Sequence, residues 1–95
     1  MNQKFSYYQY IVTFVTDGLK NKARSVFKMS TPLVSREQWR ECLQFQQSVT
    51  QRTMQCNEIL STYLTEISEQ EARDALEGTK NTVESIPLVI FEEMA

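Results

Sequence analysis

Three features of the 95-residue sequence predict a small α+β domain. Two β-rich alternating runs flank Asp17-Gly18, Thr31-Pro32 precedes a Ser-led amphipathic run, and Ser68 opens a second capping pattern after an Ile-, Leu- and Thr-rich stretch. The expected order is an N-terminal β-hairpin, an amphipathic helix, a third strand, a short second helix and a C-terminal extended segment. The alternative is a hairpin followed by one long helix. A chain of this length suits a single hydrophobic core, so residues 1–95 read as one domain, with 86–95 as an interface tail.

Residues 7–16 are dominated by Tyr, Ile, Val, Thr and Phe, which fit a pleated surface, and both faces are largely apolar. That pattern predicts a central strand. Asp17-Gly18 signals a turn, because Gly takes positive φ at little cost. The second strand is expected at Ala23 to Ser30, with Asp17 to Lys22 as a long connection whose basic tip, Lys20, Asn21 and Lys22, lies in solvent. Pro32 then forces Thr31 toward extended geometry.

Ser35 and Gln38 match a capping box, so a helix starts there. Trp39, Cys42, Leu43, Phe45 and Val49 recur at helical spacing as its apolar stripe, and the Gln-rich stretch from Gln44 to Gln55 reads as its solvated face. Residues 57–67 satisfy both a helical and an alternating period. Ser68-Glu69-Gln70-Glu71 favours the strand, since a cap residue lies outside helical geometry. A short helix over Glu69 to Glu77 should end at Gly78, followed by a polar loop to Ser85. Ile86 to Phe91 is a compact apolar run in which Pro87 excludes a central strand, leaving an edge strand or a segment docked on a partner.

Composition excludes several kinds of chemistry. There is no His, which removes the commonest general base, the commonest zinc ligand and every Ser-His or Cys-His arrangement. Two Cys are too few for an all-Cys zinc site, and two Gly write no phosphate-binding loop. A non-enzymatic protein without cofactor or metal is therefore expected. Cys42 and Cys56 read as free thiols, Cys42 as a buried small hydrophobe and Cys56 as the more accessible of the two. No run of apolar residues reaches a membrane span, and residues 1–5 carry no secretory pattern, so a cytoplasmic location is expected.

Charge is unevenly placed. Residues 1–30 hold five bases against Asp17, a net of +4, whereas residues 58–95 hold nine acids against Arg73 and Lys80, a net of −7. Three candidate surfaces follow. Glu69, Glu71, Asp74, Glu77, Glu92 and Glu93 could form an acidic partner-binding surface. Ile86, Leu88, Ile90 and Phe91 could drive self-association, because an apolar chain end with an unpaired edge invites strand addition. Lys20, Lys22, Arg24 and Lys28, interleaved with Tyr7, Tyr8, Tyr10 and Phe27, could bind nucleic acid by phosphate neutralisation and base stacking.

The succession Tyr8-x-Tyr10-Ile11-Val12-Thr13-Phe14, a polar turn, Val26-Phe27-x-Met29, and Thr31-Pro32-Leu33-Val34-Ser35 opening a helix resembles short β-β-α-β proteins encoded by bacteriophages and other mobile elements. The resemblance covers roughly residues 7–67. It implies a stoichiometric inhibitor of host or defence machinery, as anti-CRISPR proteins are, with no catalytic residues to carry over. The expected function is thus a protein-binding regulator or inhibitor, dimeric by preference and acting through its acidic surface. The alternatives are a nucleic-acid-binding module using the basic hairpin and a structural assembly subunit.

Overall fold

A computed structural model describes residues 4–56 and 58–88. The elements are β1 (Ser6–Thr16), β2 (Leu19–Met29), α1 (Arg36–Met54), β3 (Glu58–Ile67) and α2 (Glu69–Leu76), then a 3-10 turn at Val83–Ser85. The three strands form one antiparallel sheet in the order β2-β1-β3, with β1 central. Residues 58–67 are therefore a strand, and the long-helix alternative falls away.

Two compact units share these strands. One takes residues up to Gln9, Val26–Pro32 and everything from Thr65 onward; the other takes Tyr10–Ser25 and Leu33–Leu64. They are called the α2 unit and the α1 unit below.

The hairpin closes more tightly than its sequence suggests. Asp17 and Gly18 both adopt left-handed backbone, with φ of 52° and 77°, which makes a two-residue primed turn. β2 therefore starts at Leu19, and Lys20, Asn21 and Lys22 belong to the strand instead of to a loop tip. Because β1 and β2 each hold 11 residues, Thr16 faces Leu19 and Ser6 faces Met29.

In the α1 unit, Tyr10, Val12 and Phe14 point to one side of β1 and are buried with Leu33 and Cys42. α1 lies on that side. Its start follows the capping box, Gln38 N donating to Ser35 Oγ and Ser35 N to Gln38 Oε1, both at 3.1 Å. Gln55 ends it in left-handed geometry. The inward stripe differs from the apolar pattern: Gln46 and Thr50 are buried, while Phe45 is exposed. Gln46 thus leaves the solvated face assigned to the Gln-rich stretch. Helical spacing from Cys42 explains this, because residues 42, 46 and 50 share one face whatever their polarity.

In the α2 unit, Ile67, Ala72, Val83 and Ile86 form a core against which Tyr7, Val26 and Leu76 pack. The Tyr8 ring stacks on Phe27, with centroids 5.6 Å apart and planes inclined by 21°. α2 is capped as expected, Glu71 N donating to Ser68 Oγ and Ser68 N to Glu71 Oε1, each at 3.1 Å. Gly78 follows at φ 83°. The C-terminal segment runs beside β2, where Lys28 N donates to the Pro87 carbonyl at 3.0 Å and Leu88 makes a parallel bridge to Lys28.

The two thiols differ as their positions dictate. Burial pushes the Cys42 thiol up to about 11, while Cys56 is partly exposed. At pH 8 a thiol-specific chromogenic reagent is expected to label one cysteine per chain quickly and Cys42 only after denaturant is added. Mapping the label to Cys42 before unfolding would contradict this.

Candidate functional site

The α1 unit presents two unlike sheet edges. On β2, Lys20, Lys22 and Arg24 alternate and so share a face, the one opposite Ala23 and Ser25, which turn toward α1. All three are exposed. Such cations protect a strand edge by opposing the approach of another strand. β3 lies at the other edge of the sheet, and among the described residues no strand pairs with its outer side.

Among the described residues, no basic side chain of β3 guards that outer side. Glu58–Leu64 reads Glu-Ile-Leu-Ser-Thr-Tyr-Leu, with no Lys, Arg or Pro. Leu60 is 43% exposed and Tyr63 57% exposed. Each outward N–H and carbonyl of an edge strand keeps an unused bond, so this segment is a ready template for another strand. The features that make it so are legible in the sequence: β-formers in alternation with no gatekeeper. Its place at the edge is not, since strand order depends on which surfaces α1 and α2 cover.

The three sequence-predicted surfaces are placed as follows. Glu69, Glu71, Asp74 and Glu77 lie along α2 and at its C-cap, but much of their bonding is local. Arg73 donates to Glu69 at 3.3 Å, Glu71 completes the capping box, and Gln70 donates to Asp74 at 3.1 Å. Glu92 and Glu93 lie outside the described residues, as do Ile90 and Phe91.

Within the proposed self-association run, Ile86 is only 5% exposed and belongs to the α2-unit core, so its side chain is already covered. Leu88 remains half-exposed. Of the basic residues, Lys28 belongs to the α2 unit, where its ammonium lies 4.7 Å from the centre of the Phe5 ring. The aromatics meant to stack on bases are spent elsewhere: Tyr8, Tyr10 and Phe27 are buried, and Tyr7 packs on the α2-unit core.

A cleft of about 140 Å³ opens between α1 and the hairpin of the α1 unit, lined by Tyr10, Val12 and Ala23 from the sheet and by Val49, Thr53 and Met54 from the helix, among others. Tyr10 is 2% exposed, and its hydroxyl has almost no accessible surface of its own. Burial raises the pKa of that hydroxyl, a hydrogen bond with the Thr50 side chain opposes the rise, and the nearby Cys56 adds to it. The Thr50 hydroxyl itself donates to the Gln46 carbonyl at 2.9 Å.

The chain matches no protein-family model, no curated protein and no solved structure.

Proposed function

We propose that this chain is a non-enzymatic protein-binding module that works by strand addition at the outer edge of β3, and that it first engages a second copy of itself. The single observation behind the reading is the contrast between edges: β2 carries Lys20, Lys22 and Arg24, and the exposed β3 segment Glu58–Leu64 carries no basic residue and no Pro. An inhibitor or assembly role, as expected from the sequence, would use this edge in preference to the acidic residues of α2.

Antiparallel pairing about a two-fold axis at Ser61 has favourable chemistry. It sets Ile59 opposite the partner's Tyr63, Leu60 opposite the partner's Thr62, and Glu58 opposite the partner's Leu64. The two copies of Glu58 then stand about 20 Å apart, six residues along the strand, so their repulsion is screened.

Ser61→Lys tests this, because it brings two ammonium groups face to face at the axis. Light scattering should report twice the monomer mass for the native chain and the monomer mass for Ser61→Lys, with an unchanged far-ultraviolet spectrum. Ser48→Lys, on the exposed side of α1, should remain dimeric. A native chain that is monomeric at its highest soluble concentration would sink the proposal, as would a dimeric Ser61→Lys.

A further inference from the structure

We infer that the open face of the sheet in the α1 unit binds single-stranded nucleic acid, with Lys20, Lys22 and Arg24 along the phosphates and the Tyr63 ring under a base.

Strand alternation defines the face. Tyr10, Val12 and Phe14 turn toward α1, so Ile11, Thr13 and Val15 turn the other way, where they are only partly covered. The hairpin register that sets Thr16 opposite Leu19 also sets Val15, Thr13 and Ile11 opposite Lys20, Lys22 and Arg24, and residues directly opposite share a face. On β3, Tyr63 lies four residues before Ile67 and points the same way, and the Ile67 cluster is packed by Tyr7 and Val26. Tyr7 is on the Ile11 side of β1, which puts Tyr63 on the face of the cations. Among the described residues of this unit the helix is α1, and it lies on the opposite side.

The chemistry of the face selects the ligand. Three exposed cations and an exposed ring flank the part-buried side chains of β1, and none of these residues is acidic. Guarding the edge explains the cations alone; it gives no reason for a ring that is 57% exposed two strands away. Row and ring stand about 10 Å apart, the reach of a nucleotide from its phosphate across its base. Cations two residues apart on one strand repeat every 7 Å or so, about 7 Å being also a fit to successive phosphates of an extended strand. An acidic peptide would satisfy the cations and leave the ring unused, whereas every base has a face to stack on it. The acidity of the whole chain does not oppose this, because the α1 unit holds six bases against four acids and the net negative charge lies in the rest of the sequence.

The test is a fluorescence-anisotropy titration of the full chain against a labelled oligothymidylate of about twelve nucleotides. Raising salt from about 50 to about 200 mM should weaken binding about 20-fold, as three neutralised phosphates require. Lys20→Ala combined with Lys22→Ala should weaken binding at low salt and cut that salt effect to about threefold. Tyr63→Ala should weaken binding about tenfold with the salt effect intact, whereas Tyr63→Phe keeps the ring and should stay within about twofold. Arg40→Ala, exposed on α1, should also stay within about twofold. The inference is overturned if the oligonucleotide fails to bind at low salt, if the lysine double variant keeps the full salt effect, or if alanine and phenylalanine at position 63 bind alike. It is also overturned if polyglutamate of matched charge displaces the label as well as unlabelled oligothymidylate does, which would make the face a site for an acidic protein. The face belongs to a single chain, so its binding does not rest on strand pairing at β3.

Discussion

Tyr8→Ala is expected to lower stability by about 3–5 kcal/mol, seen as a large fall in the urea midpoint. Tyr8 is fully buried and its ring stacks on Phe27, the residue facing it across the hairpin. Truncation removes the ring, leaves a cavity and exposes one face of Phe27. Aromatic pairs of this offset kind add about 0.5–1.5 kcal/mol beyond the area they bury. Small domains have about 5–15 kcal/mol in all, so Tyr8→Ala takes a large share of the total. Tyr8→Phe keeps the stack and should cost about 1 kcal/mol for the hydroxyl. If alanine and phenylalanine variants prove equally stable, the stacking argument fails.

Ile86→Ala is expected to cost about 2–5 kcal/mol, whereas Leu88→Ala should stay within about 0.5 kcal/mol. The two residues are neighbours in one apolar run but are used differently. Ile86 fills the core formed by Ile67, Ala72 and Val83, and Leu88 contributes mainly its backbone to the bridge with Lys28. Hydrogen exchange locates the effect: amides of α2 should lose protection in Ile86→Ala and keep it in Leu88→Ala. The reverse order of costs would return Ile86 to a partner-facing role.

These expectations show where the sequence is informative. Both capping boxes, at Ser35 and Ser68, form with the anticipated bonds because each involves four consecutive residues and nothing distant. Cys42 and Cys56 separate as expected, since helical phase alone puts Cys42 inward. The hairpin is legible in outline, but its turn is shorter than expected: Asp-Gly alone suffices for the reversal, and β2 extends outward through Lys20 and Lys22 because an edge strand tolerates charge on its open face.

The candidate surfaces are less legible. Their residue types are visible, yet whether an apolar residue is spent on the core or left for a partner depends on what packs over it. Ile86 was a candidate for self-association and is core; Tyr63 and Leu60 look like core strand residues and are exposed. Gln46 and Phe45 exchange their expected places for the same reason, since burial on α1 follows angular position relative to the sheet more than hydrophobicity.

By itself, then, the sequence determined the type and succession of the elements, the points where helices begin, and the absence of histidine chemistry, because these depend on local bonds and on composition. Tertiary structure alone decided that Ile86 is spent on the α2-unit core, that β3 takes the sheet edge away from β2, and that short side chains on β2 and α1 leave a cleft between them. Each of those depends on surfaces far apart in the chain meeting at a fixed distance, and no local pattern encodes that distance.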